Sequence, residues 1–234
     1  MNGDARRAYD AWHSALAGEE TGESVAPWHA AARPHIGSLH GLSVLEIGCG
    51  RGSFGTLVSD SGARPLVLAD FSSEAVRVAR ERVGTARDRV YLVADIERLP
   101  FRDGAFDLVC SFETIEHVPR PAQALAELVR VARRGGRLIV TSPNYLGMAG
   151  LYRIYRRLTG RPYTEMGQPI NQPLVLPWRV RLLRTLGCRV DVVDGIGHYL
   201  YLPGRRPLRL PFLDRARPLT RWFAVHSLTV ATRR

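Results

Sequence analysis

From position 42 onward, apolar and polar residues alternate between short, dense apolar runs and longer amphipathic stretches. LSVLEIG (42–48), RPLVLAD (64–70), RVYLVAD (89–95), FDLVCSF (106–112) and GRLIVTSPN (136–144) are rich in valine, leucine and isoleucine and read as buried strands. Between them, SFGTLVSDSG, SSEAVRVARERV and PAQALAELVRVARRGG space their apolar positions three or four apart and read as helices. The last ends in glycines, with arginines in its final turn. Strands alternating with helices predict a parallel sheet covered on both faces. The rhythm breaks at 144–177, a stretch of Pro, Gly, Tyr and Arg that reads as an insertion. It resumes with helix WRVRLLRTLG, strand CRVDVVDGIGHYLYL, a proline- and arginine-rich stretch at 203–221 and a closing strand AVHSLTVATR. Residues 1–40 read as one or two short helices forming a flap ahead of a single domain over 41–234. No internal repeat is visible.

Composition narrows the class. With 45% apolar and 24% charged residues, 22 Gly and 15 Pro, the chain fits a soluble globular protein and neither a collagen-like nor a disordered one. No apolar run nears the ~20 residues of a membrane span, and MNGDARRAYD lacks the apolar stretch of a signal peptide, so a cytoplasmic location is expected. Cys49, Cys110 and Cys188 show no metal-ligand spacing, which suits a reducing compartment. The net charge of +11 comes entirely from arginine, since the chain has no lysine, a bias expected of a GC-rich coding sequence. Residues 1–147 carry 17 Arg against 18 acids, whereas residues 148–234 carry 16 Arg against 4. An anionic partner, or the anionic part of a substrate, is therefore expected at the C-terminal third.

The first strand runs directly into Gly48, Gly50 and Gly52, and a helix begins near Ser53. Glycines there allow a sharp turn and close approach of a ligand to backbone amides at the helix start. Gly50, Gly52 and Gly55 also match the dinucleotide spacing, but that register begins too late after the strand. Glu46, Asp70 and Asp95 end the first three strands, and a parallel sheet gathers such ends into one crevice. Three carboxylates around a glycine loop suit a cation and would repel a pyrophosphate.

These motifs, over residues 40–142, resemble the class I S-adenosylmethionine-dependent methyltransferases. The resemblance implies a Rossmann-like, seven-stranded, mostly parallel sheet of order 3-2-1-4-5-7-6 with the last strand antiparallel, and S-adenosylmethionine as cofactor. It implies that Gly48, Cys49, Gly50 and Gly52 line the methionine part and that Glu46 supports the loop and the amino group. Asp70 would hold the ribose hydroxyls, Asp95 and the Ile96 amide would meet the adenine, and Phe71 would pack on its face. Ser111 and Phe112 would contact the methionine moiety through the backbone. Tyr9, Trp12 and His13 are expected either to close over the cofactor or simply to pack an N-terminal helix.

After the fourth strand, SFETIEHVPRP sets Glu113, Glu116 and His117 at i, i+3 and i+4, on one face if the segment is helical. Two chemistries fit. His117 could be a general base or substrate positioner with a carboxylate fixing its tautomer. Alternatively, Glu113, Glu116 and His117 could bind Mg²⁺ or another divalent metal, with His198 as fourth ligand ahead of His226. The string resembles that of ubiquinone-pathway O-methyltransferases and small-RNA 2′-O-methyltransferases, for which a metal has been implicated.

The insertion places Leu151, Ile154, Tyr155 and Leu158 at helical spacing with Arg153, Arg156 and Arg157 interleaved, a basic amphipathic helix expected to form a lid over the acceptor. Tyr145, Tyr152, Arg153 and His198 are the candidate substrate contacts. A solvated arginine face with its apolar side packed on the sheet is the plainer expectation. An anionic small-molecule or lipid-linked acceptor, an anionic membrane surface and, ranked last, RNA are the possible partners. O-methylation of a small-molecule, sugar or lipid-linked acceptor is the expected reaction. A binding module without turnover and a nicotinamide dehydrogenase are the competing classes, and the latter lacks residues for a hydride-transfer domain.

Overall fold

The computed structural model describes residues 3–15, 26–161, 167–200, 208–215 and 220–234. Its strands are β1 (Val44–Ile47), β2 (Leu66–Asp70), β3 (Arg89–Val93), β4 (Phe106–Ser111), β5 (Ala132–Pro143), β6 (Cys188–Ile196), β7 (Tyr199–Leu200), β8 (Leu208–Arg209) and β9 (His226–Arg233). Its helices are α1 (Gly3–Ala15), α2 (Pro27–Ile36), α3 (Ser53–Val58), α4 (Ser73–Val83), α5 (Pro121–Val131), α6 (Met148–Leu158), α7 (Leu176–Thr185) and α8 (Pro211–Arg215). Seven strands form one sheet in the order β3-β2-β1-β4-β5-β9-β6, and β7 and β8 pair separately. With that small hairpin set aside, the order is the 3-2-1-4-5-7-6 expected. β9 is antiparallel to both neighbours, β5 and β6.

The period-two pattern of the strands divides the core. Leu45 and Ile47 of β1 point into one layer with Val109, Leu125, Leu128 and Leu138 under α5 and α7. Val44 points into the other, with Phe54, Leu68, Leu108 and Ile139 under α2, α3 and α4. At about 1.5–3 kcal/mol for each such side chain removed from water, the two layers drive the assembly. The second-face position at the end of β1 is Glu46, which is carried into the interior beside the crevice.

Several elements depart from the sequence pattern. The fifth helix stops at Val131, and Ala132–Arg134 join the strand instead of its last turn. Arg133 pairs there with Asp107, one residue into β4. The helical face expected for Glu113, Glu116 and His117 is absent. Only Ile115–His117 form a single 3-10 turn, and Glu113 has a positive φ of 49°. Helix α6 forms as expected, but its apolar stripe is not packed on the sheet: Leu151, Ile154 and Leu158 are 61%, 58% and 82% exposed. Parts of the basic segments, 162–166, 201–207 and 216–219, lie outside the described residues. Among the described residues, no helix is long and apolar enough to cross a membrane.

The C-terminal half is anchored by two buried polar hubs. Asn144 donates to the Trp222 and Ala224 carbonyls and accepts from the Leu176 amide, tying the end of β5 to the start of α7. Arg179 of α7, 1% exposed, donates to Ser142 Oγ (2.6 Å), Thr229 Oγ1 (3.1 Å) and the Ser227 carbonyl and hydroxyl (3.0 and 2.9 Å). Burial pulls its pKa down to about 10, against the opposing pull of Glu113 and Glu116. Because removing one member of a buried charge arrangement strands the others, Arg179→Leu is expected to lower unfolding free energy by about 3 kcal/mol in urea titration. An unchanged midpoint would show the guanidinium to be dispensable to the fold.

Candidate active site

The sheet order reverses between β1 and β4, and the carboxyl ends of the parallel strands open there into a cavity of about 530 Å³. Strand ends supply its floor: Glu46 and Gly48 after β1, Asp70 and Phe71 after β2, Ala94 and Ile96 after β3, Phe112–Thr114 after β4, and Pro143 and Tyr145 after β5. Because β9 runs the other way, it contributes its first residue; His226 lies opposite Pro143 in register and also lines the cavity.

The glycine loop is shaped by close contacts. Gly48 has φ 76°, and a Cβ there would lie 2.1 Å from Thr114 Oγ1. Gly52 (φ 83°) caps α3 against Ala79 and Val83 of α4, behind the cavity wall rather than in it. The Gly50 amide donates to Asp70 Oδ2 and the Ser72 amide to Asp70 Oδ1, both at 2.9 Å. Asp70 thus joins the two turns. Burial raises its pKa, opposed by His13 and by these amides. Glu46 is 2% exposed, and its Oε2 has no hydrogen-bond partner. Burial first, then the charge of Asp70, drives its pKa well above the usual carboxylate value. Burial likewise raises Cys49, whose residue lines the loop side.

Helix α1 closes one side because Asp10 accepts from Ser72 Oγ (2.6 Å) and the Glu74 amide (3.2 Å), fixing it to the start of α4. That contact holds Tyr9, Trp12 and His13 over the cavity. The Tyr9 hydroxyl donates to the His117 carbonyl at 2.9 Å, and its ring stands edge-on to Phe71. Helix α2 adds Trp28 and His29. Burial lowers the His29 pKa to about 4, so its ring is neutral; it packs edge-on to Phe112 at 4.8 Å.

On the far side, Glu113 Oε2 lies 2.7 Å from His226 Nδ1. Burial would raise the Glu113 pKa, but the His226 charge and hydrogen bond, with Thr141 and Arg179, bring it below the usual value. His117 Nδ1 lies 2.8 Å from the Ile170 carbonyl and so carries the proton, while Nε2 lies 3.5 Å from Glu116 Oε1. Burial outweighs the Ile170 hydrogen bond and the charge of Glu113 and lowers the His117 pKa.

Several predicted residues are elsewhere. Asp95 is outside the cavity lining; its Oδ1 accepts from the Glu97 amide and closes the 95–98 turn, whereas Ile96 does line the cavity. Ser111 lies beneath the floor and Glu116 behind it, both fully buried. Tyr152 is engaged with Arg156 on α6, and Arg153 packs over the outer face of Tyr145 at 5.1 Å. His198 sits away from the cavity, its Nε2 on the Thr220 carbonyl at 3.0 Å. The proposed metal set is therefore not assembled: Glu113 and Glu116 face different imidazoles and His198 is remote. Among the described residues, no three His, Cys, Asp or Glu side chains are placed to hold one ion. Gln168 and Arg179 carry no local sequence signal, Trp28 and His29 stand out only as an aromatic and a histidine of the N-terminal segment, and only the last strand's antiparallel course promotes His226.

Residues 45–140 match the model of a methyltransferase domain. Malonyl-[acyl-carrier protein] O-methyltransferase of Pectobacterium atrosepticum is 33% identical over 187 residues, 76% of this chain and 71% of that protein. The chain belongs to the class I S-adenosylmethionine-dependent methyltransferases. Demethylmenaquinone methyltransferase of Beutenbergia cavernae is 32% identical over 131 residues, 55% of this chain and 53% of the relative. The chain spans about half the length of most of the curated relatives it matches. A chain of the complex between the Haloferax volcanii Trm112 methyltransferase activator and a methyltransferase shares the fold, with TM-score 0.68 at 24% identity over 97% of this chain and 96% of that one.

The cavity of this methyltransferase suits a cationic nucleoside donor. Glu46 offers a buried, unpartnered carboxylate oxygen and Asp70 a second carboxylate, beside a turn at Gly48 that the Thr114 side chain packs too closely to admit a Cβ. Asp70→Ala removes charge-assisted bonds and loosens Gly50, and should weaken S-adenosylhomocysteine binding about a hundredfold by calorimetry, roughly 3 kcal/mol. Calorimetry with S-adenosylmethionine itself should also show a pH slope. The donor's positive charge favours ionised Glu46, whose pKa is raised in the free protein, so binding should release protons and tighten as pH rises above the usual carboxylate range. Glu46→Gln should flatten that slope; an unchanged slope would assign the proton to another group.

Proposed function

We propose that the protein methylates a hydroxyl of a small, largely apolar acceptor, with His226 as general base and Glu113 as its positioning residue. The observation that carries this is the 2.7 Å contact between His226 Nδ1 and Glu113 Oε2 at the cavity wall. A carboxylate on Nδ1 fixes the tautomer in which Nε2 is the basic nitrogen and stabilises the imidazolium formed when it takes a proton. Glu113 adopts its left-handed backbone at a cost of about 1 kcal/mol, held there by the hydrogen bond its backbone N–H donates to Thr141 Oγ1. Such strain beside paired titratable groups supports a chemical role for the turn.

The bound cofactor supplies a methyl activated on a sulfonium. Glu46 and Asp70 hold the cationic donor, and Tyr9, Trp12, Phe71 and Phe112 exclude water from it. Trp28, whose ring centroid lies 5.6 Å from that of His226, and Tyr145 orient a flat apolar acceptor so that its hydroxyl reaches the base. His117, held between the Ile170 carbonyl and Glu116, is a positioner rather than the base. The demethylmenaquinone methyltransferase relatives favour a second reading. Removal of a proton from a ring hydroxyl also enriches an adjacent carbon, which would then accept the methyl.

Radiolabel transfer to a panel of hydroxylated aromatic acceptors tests both readings, and the carbon chemical shift of the new methyl separates oxygen from carbon attachment. His226→Ala is expected to lower kcat by about 10² to 10⁴ with S-adenosylhomocysteine affinity unchanged, and Glu113→Gln to lower kcat less and shift its acid limb. Full turnover by His226→Ala would remove the base from this scheme.

A further inference from the structure

We propose that α6 and the loops beside it form a docking surface for an anionic lipid bilayer. Surface helices normally turn their apolar stripe toward the core; α6 does the reverse. Leu151, Ile154, Tyr155 and Leu158 recur at i, i+3, i+4 and i+7, and all four are exposed, from 40% to 82%. The patch continues beyond the helix. Gly147 is so close to the Phe223 backbone that a Cβ would lie 2.4 Å from the Phe223 carbonyl, and both Phe223 (55%) and Leu146 (43%), which precedes that glycine, are exposed. α6 also lies against β7, whose partner β8 presents the exposed Leu208 and leads into Phe212 on α8. All but one of the exposed large apolar side chains among the described residues fall within this region.

Charge selects the occupant. Helix α6 carries Arg153, Arg156 and Arg157 and no acid, and residues 148–234 hold 16 arginines against 4 acids. A second copy of the chain would bring two such surfaces together against their repulsion, whereas an anionic bilayer takes the apolar stripe below its headgroups and the arginines among them. Eleven residues give a helix of roughly 16 Å, suited to lying in the interface and too short to cross it. The helix starts at the cavity, whose wall includes Tyr145 and Ala149, so docking would set that wall toward the lipid. The surface does not depend on which atom is methylated.

Co-sedimentation with vesicles of phosphatidylcholine, with and without phosphatidylglycerol, tests it. The full chain should pellet with the anionic vesicles and weaken as salt rises. Leu151→Glu with Leu158→Glu should reduce that binding at least about tenfold, and Arg156→Glu with Arg157→Glu should do the same. Both pairs should retain S-adenosylhomocysteine affinity, which shows that they remain folded. Absence of binding to anionic vesicles, equal binding to neutral ones, or insensitivity to the leucine pair would overturn the proposal. So would a dimer in sedimentation velocity that the leucine pair abolishes.

Discussion

The two oxygens of Asp70 each accept a backbone amide, one from the loop after β1 and one from the turn after β2. This arrangement does more than close two turns. It holds a carboxylate in a place that burial disfavours, next to a second buried carboxylate, Glu46, with the glycine loop wrapped around both. Two acids sharing a low-dielectric crevice repel each other and raise one another's proton affinity. A cation relieves that penalty, so a floor of this charge suits a sulfonium donor better than a pyrophosphate.

The opposite wall solves a similar problem differently. Glu113 and Glu116 are both buried, but Arg179 lies near enough to act on both, and each carboxylate faces an imidazole, His226 or His117. Arg179 also bonds to β5 and β9, so the group that balances charge at the site is the group that locks α7 to the sheet. Stability and the electrostatics of the acceptor side are therefore coupled through one side chain, while the donor side rests on backbone amides.

The C-terminal third adds a surface rather than a second core. Arg153, Arg156 and Arg157 lie on α6, beside the exposed Leu151, Ile154, Tyr155 and Leu158. An amphipathic helix facing outward is consistent with a body that completes its core elsewhere and leaves this element to meet something outside the chain.

Local patterns in the sequence specify the sheet and bring Glu46, Gly48 and Asp70, though not Asp95, to the cavity at its edge. Period-two strands, glycines after β1 and acids at strand ends are local patterns, and parallel topology brings strand ends together whatever the surroundings. Such patterns do not specify the acceptor wall. His226 reaches the cavity only because β9 is antiparallel, which puts its first residue at the same edge as the last residue of β5. Arg179 is one arginine among 33 and nothing local marks it as buried. Asp95 and His198 carry suitable chemistry but are claimed by nearby backbone, an amide at Glu97 and a carbonyl at Thr220. Local spacing tells which side chains could act. Which ones meet depends on contacts between residues distant in the chain, and these exist only once the sheet and its covering helices have packed.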